Sequence, residues 1–251
     1  MQRTLRVIRG SIASLVRYYH VEPTASTGQV VSLKEKPASN IDFGVDKLTS
    51  LRELFEARVH IGHKTSMWNP SMLPYLYGHR AGIHIIDLDK TWQCLQLALK
   101  VTSNIAYQKG VILFVNERSQ FERLNQKAAR DSNQYFVTQW TEGTLTNMYG
   151  LLGSTNYPDL IIFTSVPPNE SAVKEAAMCC VPSIGIVDSD CDPQWITYPV
   201  PGNDDTPSAL QLYFRIFSDA IKMAMMMRKE MDTLEQGTVK SGNVTTEVLH
   251  S

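Results

Sequence analysis

The sequence predicts a single α/β domain over about residues 41–230, a doubly wound parallel sheet with helices on both faces. Three observations predict it. Continuous apolar runs of strand length recur at "VILFVN" (111–116), "DLIIFTS" (159–165) and "SIGIVDS" (183–189), the pattern of strands buried on both sides. Segments with a 3.6-residue apolar period lie between them, as the crossovers of a parallel sheet require. Gly110, Pro167-Pro168 and Pro182 punctuate the boundaries.

From Asp46, "DKLTSLRELFEARVH" offers an N-cap followed by Leu48, Leu51, Leu54 and Phe55 on one face, which predicts a first helix over about 47–58. A loop holding Pro70 and Pro74 follows, then a short β-rich run, "GIHIIDL", at 82–88. Asp87 or Asp89 caps the next helix, where Trp92, Leu95, Leu99, Thr102 and Ala106 keep the period until Gly110. After the strand at 111–116 comes a charge-laced helix over 117–131 with Phe121, Leu124 and Ala128 inward, then a strand at 135–139. The strand at 159–165 leads through two prolines into a helix at about 169–180, which Pro182 ends before the strand at 183–189. "ITYPV" (196–200) precedes a long last helix started by Asp204, Asp205 or Thr206, with Pro207 in its first turn. Its Met-rich stretch, "MAMMM" (223–227), beside Phe214, Phe217 and Ile221, reads as core filler. Residues 231–251 have no periodicity and are predicted to be a disordered tail.

Residues 1–21 carry Arg3, Arg6, Arg9 and Arg17, no acid, and Leu5, Ile8, Ile12, Leu15 and Val16 at helical spacing, the pattern of a mitochondrial transit peptide. Residues 22–40 read as a flexible spacer. Loss of the four arginines takes the formal net charge from −1 to −5. Any nucleic-acid binding therefore needs a local basic patch. No apolar run approaches the roughly 20 residues of a membrane span. Cys94, Cys179, Cys180 and Cys191 contain no C-x-x-C and read as free, mostly buried thiols in a reducing compartment.

The strand ends lack G-x-G-x-x-G and G-x-x-x-x-G-K-[ST], so a cofactor dehydrogenase or a P-loop enzyme is not expected. His60-Ile61-Gly62-His63 shares four letters with a class I aminoacyl-tRNA synthetase signature, but that signature follows a strand and opens a helix. Here it follows a helix, prolines come soon after, and no Lys-Met-Ser-Lys-Ser-like loop is present. A nucleotide-binding, synthetase-like ligase is kept as the alternative function. His60, His63, His79 and His84 match no zinc-ligand spacing, and Asp188, Asp190 and Asp192 read as turn and cap residues. No catalytic residue, metal, cofactor or small-molecule substrate is expected. What remains is the stretch 58–90, where cations are interleaved with planar side chains. Such a loop suits structured RNA, whose phosphates position and whose unstacked bases are read.

The blocks "HIGHKTSMWNP" (60–70), "YGHRAGIHIIDLDKT" (77–91), "GTLTN" (143–147), "PDLIIF" (158–163), "EAAMCCVPSIGIVDSDCDP" (175–193) and "YPVPGNDD" (198–205) stand in order along the chain. In this it resembles the ribosomal protein S-two family, the second protein of the small ribosomal subunit. The resemblance implies a flavodoxin-like sheet, assembly on small-subunit ribosomal RNA, and no catalysis. Together with the Arg-rich start it implies a mitochondrial form: a structural constituent of the mitochondrial small subunit, in the matrix, contacting ribosomal RNA and neighbouring small-subunit proteins. The expected RNA-binding residues are His63, Lys64, Trp68, Asn69 and Arg80, with Arg58 and Lys90 beside them. Two departures stand out. Bacterial members insert a helical hairpin between "GTLTN" and "PDLIIF", where only residues 148–157 lie here, and members often have two arginines where this chain has Ser66-Met67. A shift from RNA towards protein contacts is therefore expected.

Overall fold

The computed structural model describes residues 42–152 and 156–244, with side chains described to residue 234 apart from that of residue 152. The expected transit peptide and spacer, and the last residues of the tail, lie outside the described residues.

The described residues open with a 3-10 turn, Val45–Lys47, and a short helix, α1 (Leu51–Glu56). The cap of α1 is Ser50, whose Oγ accepts from the Glu53 N–H at 3.3 Å, so the helix starts later than Asp46 predicts. The stretch predicted as a loop is the largest departure. It holds β1 (Ile61–Lys64) and β2 (Leu76–Arg80), which pair with β3 (Ile83–Ile86), the strand predicted at 82–88, in an antiparallel sheet of order β1-β3-β2. Pro70 opens a 3-10 turn, Pro70–Tyr75, between β1 and β2, where its missing N–H costs nothing, and Pro74 lies inside that turn.

The rest is the α/β layer structure that the apolar runs predict. After α2 (Leu88–Tyr107) come β4 (Ile112–Val115), α3 (Glu122–Asp131), β5 (Tyr135–Val137), a short α4 (Met148–Leu152), β6 (Leu160–Phe163), α5 (Glu170–Met178), β7 (Ser183–Val187), β8 (Tyr198–Pro201) and α6 (Pro207–Val244). The five later strands are parallel in the order β5-β4-β6-β7-β8. Counted within that sheet the order is 2-1-3-4-5, the flavodoxin-like arrangement. Every residue of β4, β6 and β7 is buried. Alternation of side chains divides the core. Ile112, Phe114, Leu160, Ile162, Ile184 and Ile186 pack under α2, α3 and α6. Leu113, Val115, Ile161, Phe163 and Val187 face α5, Met72 and Leu145.

Three further expectations change. α6 continues to Val244, through the first part of the predicted tail. Asp232 holds that extension: it pairs with Arg228 one turn back at 2.9 Å and with Lys109 at 2.9 Å. Met226 lies on the exposed face of α6 while Met225 and Met227 pack against the core, so only part of the Met-rich stretch fills it. Of the four free cysteines Cys191 is buried, Cys94 and Cys179 are half-buried and Cys180 is exposed. Cys180 takes the left-handed position (φ 56°) that ends α5 and turns the chain outward.

Candidate functional site

In a doubly wound sheet the carboxyl ends of the strands form the usual ligand crevice. Here the β1 end of the small sheet fills it. The Asn203 side-chain amide donates to the Ile61 carbonyl at 2.8 Å, the Asn203 N–H to the Val59 carbonyl at 3.0 Å, and the His63 N–H to Ser189 Oγ at 2.7 Å. Gly62 makes this approach possible, since a Cβ there would stand 2.8 Å from Ser189 Oγ and 3.2 Å from Asp188 Oδ1.

The docked strand delivers His63 among acids from β7 and the start of α6. Its Nδ1 lies 3.2 Å from Asp188 Oδ1 and 3.7 Å from Asp190 Oδ1, and its Nε2 lies 3.0 Å from Asp205 Oδ2. The Asp188 carboxylate, helped by Asp190 and Asp205, raises the imidazole to about 9 against the opposing effect of burial. Arg118, just beyond β4, pairs with Asp205 and reaches Asp204 at 3.5 Å. Asp204 has no exposed surface and accepts from Ser165 Oγ at 2.7 Å. Burial pushes its carboxyl up to about 7, although the Arg118 charge opposes that. α6 starts at Thr206, whose carbonyl accepts from the Leu210 N–H, while Asn203 Oδ1 takes the Asp205 and Thr206 N–H groups. Four carboxylates thus stand where a nucleotide-binding member of this fold places phosphates, and they would repel them.

The remaining expected residues lie outside the crevice. Lys64 and Arg80 both stand opposite Ile83, one on each side of β3. Cross-strand partners share a face, so the two cations flank the exposed Ile83 about 10 Å apart, two strand spacings. Arg58 is exposed in the left-handed conformation (φ 62°) after α1. Among the described residues none of these three cations forms an ion pair. Trp68 is half-buried, its ring 5.2 Å from that of His84. Asn69 and Lys90 serve the fold. Asn69 Oδ1 caps the 3-10 turn through the Ser71 N–H at 2.9 Å, and Lys90 donates to the Pro74 carbonyl and lies 3.6 Å from Asp87. The sequence brings Lys64 and Arg80 within range of each other only once the pairing of β1, β3 and β2 is known. Asp188, Asp190 and Asp205 as partners of His63, and Arg118 as the partner of Asp204 and Asp205, were out of reach of spacing, since His63 and Ser189 are 126 positions apart.

The family model for ribosomal protein S2 matches residues 54–155 and 148–224. The chain belongs to the ribosomal protein S2 family. Among its relatives, the small ribosomal subunit protein uS2m of Bos taurus is 41% identical over 220 residues, covering 85% of this chain and 75% of the relative. The uS2m protein of Schizosaccharomyces pombe is 38% identical over 180 residues, covering 62% of this chain and 68% of the relative. The uS2 protein of Chelativorans sp. (strain BNC1) is 35% identical over 215 residues, covering 68% and 80%. The two segments of the S2 match overlap at residues 148–155. A ribosomal S2 protein is a structural constituent and not an enzyme, and the synthetase-like alternative finds no support in the crevice or in the relatives. No helix among the described residues is long and apolar enough to cross a membrane.

Proposed function

We propose that this S2 protein is a structural constituent of the small subunit of the mitochondrial ribosome, located in the matrix, where it binds small-subunit ribosomal RNA and neighbouring ribosomal proteins. The relatives named uS2m support the compartment and the particle. The observation that carries the RNA contact is the pair Lys64 and Arg80, two exposed cations in register on either side of Ile83 and without acidic partners among the described residues. Unpaired cations on a rigid sheet suit phosphate oxygens, which neither need nor tolerate a competing carboxylate. Arg58 extends the cationic surface, and the exposed part of Trp68 offers a stacking face. His63, Asn69 and Lys90 contribute by holding the loop and the sheet in place, their polar groups being turned to protein partners.

Lys64→Glu with Arg80→Glu tests the reading. The double variant is expected to melt like the wild type, because both side chains are exposed and unpaired, yet to shift from small subunits to free protein in a sucrose gradient of mitochondria. The salt dependence of its binding to small-subunit RNA should flatten by roughly one to two units of the log–log slope, as expected when about two phosphate contacts are lost. Normal incorporation with an unchanged slope would overturn this assignment of the RNA surface.

A further inference from the structure

α3 covers the β5 edge of the parallel sheet, and its two faces differ sharply. Leu124, Ala128 and Ala129 turn to the core with Phe121 just before them, and the Asn125 side-chain amide donates to the Val137 carbonyl at 3.1 Å, which fixes the helix on β5. That leaves Arg123, Lys127 and Arg130 exposed at positions i, i+4 and i+7, in one narrow stripe on the opposite face.

Surface cations on the other helices mostly face an acid: Arg52 pairs with Glu56, Lys174 with Glu170, Arg215 with Glu53 and Lys222 with Asp219. Among the described residues none of the three cations on α3 has an acidic partner, although Asp131 stands one turn from Lys127 and Glu122 is next to Arg123. The stripe is also unfavourable within its own helix. Like charges three and four positions apart repel, and Arg123, in the first turn, opposes the helix dipole. No large apolar side chain of α3 is exposed, whereas an interface with a protein would centre on such groups.

We propose that Arg123, Lys127 and Arg130 form a second RNA contact, on the phosphate backbone of a double-stranded segment of small-subunit ribosomal RNA. The proposal rests on the RNA-binding reading above and adds a face to it. At 1.5 Å of rise per residue the stripe is about 10 Å long, the length of about three phosphates along one strand. Contacts of this kind position an RNA without reading its sequence, and A-form duplexes are recognised largely through shape and phosphates. Exposed Gln120, in the turn just before α3, adds an amide donor beside the cations. The small sheet docks on the groups that follow β7 and β8, three to four strand spacings from β5, on the order of 15–20 Å. The α3 stripe and the pair Lys64 and Arg80 therefore meet different phosphates and contribute independently.

The test measures binding of the full chain to a mixed-sequence RNA duplex by fluorescence anisotropy over a range of salt concentrations. R123Q/K127Q/R130Q removes the three charges and keeps helix-forming side chains. It should bind roughly tenfold or more weakly at about 0.1 M salt, with a log–log slope lower by roughly two to three units. R123K/R130K, which keeps the charges, should retain the wild-type slope. The same loss should recur on the Lys64→Glu, Arg80→Glu background, which separates this face from the first. The arginines of residues 1–21 are common to all variants and cancel in the comparison. Each single change to Gln should lower the slope by roughly one unit, and the single variants carry the decision if circular dichroism shows the triple variant misfolded. Wild-type affinity and slope in the folded triple variant overturn the α3 contact, and leave the first surface standing if the Lys64→Glu, Arg80→Glu variant is weakened. Loss of the triple variant from small subunits with its RNA slope unchanged would indicate an acidic protein partner and overturn the proposal as well.

Discussion

Asp204 is a carboxylate with no exposed surface, and what it stands beside decides how much charge the crevice holds. Arg118 at 3.5 Å supplies the compensating charge and Ser165 a hydrogen bond. Arg118→Met keeps the aliphatic stem and removes the cation. At pH 8, where Asp204 is ionised in the wild type, the variant should lose about 3 kcal/mol, the order expected when one partner of a buried pair is removed. At pH 5 the deficit should be much smaller. The Asp204 carboxyl, raised to about 7, already carries its proton there, so Arg118 keeps only its pair with the half-exposed Asp205, which contributes little. Urea unfolding at the two pH values measures the difference; an equal deficit at both contradicts the pairing. A second residue-scale feature is the glycine at 202. A Cβ there would meet the Tyr213 hydroxyl at 2.0 Å and Val59 Cγ1 at 3.1 Å, so the residue after β8 is small because a buried aromatic ring ends against it.

Among the elements, α5 does more than cover the sheet. Its Glu175 points inward beside Ala172 and Ala176, and its carboxylate accepts from the Gly143 N–H at 2.6 Å, the Leu145 N–H at 3.0 Å and the Trp140 indole N–H at 3.4 Å. One acid thus ties the 140–145 loop to the helix layer. Glu175→Ala leaves these three donors without their acceptor and should cost about 2–3 kcal/mol, with a shift in tryptophan fluorescence as the Trp140 loop loosens. A melt within error of the wild type would show that the loop is held by other contacts. The sequence did hold the signal, an acidic residue on the apolar face of a predicted helix, although its partners are far away in the chain. The legibility of the elements follows the same division. β4, β6 and β7 are readable because strands buried on both faces must be apolar throughout, and α2 because a 20-residue helix repeats its period many times. β1 and β2 are not. They are four and five residues long, contain Gly, His, Lys and Arg, and pair with β3 through irregular registers. Their β conformation comes from docking on the crevice, and local propensity would not supply it.

On the scale of the whole molecule, the parallel sheet and its helices form a unit to which the far half of α6 adds little. Beyond residue 230 Asp232 makes surface pairs with Lys109 and Arg228, Thr233 Oγ1 donates to the Glu230 carbonyl within the helix, and the Met231 and Leu234 side chains are exposed. A chain ending at residue 230 should therefore keep its circular dichroism spectrum and melt within a couple of degrees of the full chain. A collapse of the melting transition would show that the last turns of α6 are part of the core. The candidate site was legible at the same coarse level as the fold. The motif order pointed to the S2 family and to the basic stretch 58–90. Which of those residues turn outward depends on a pairing between segments that only the folded chain brings together.

That dependence has a temporal side. β1 is near the start of the described chain, but the groups that receive it, Ser189 and Asn203, follow the last two strands of the parallel sheet. Its docking closes a loop of well over a hundred residues, a slow, non-local contact whose entropy is recovered only after the sheet behind it is built. The surface carrying Lys64 and Arg80 is accordingly expected to be among the last parts of the protein to become rigid, which pulse-labelling hydrogen exchange during refolding would check. A chain that has not finished folding presents an incomplete cationic face, which, under the RNA contact proposed above, would delay attachment until the sheet is built.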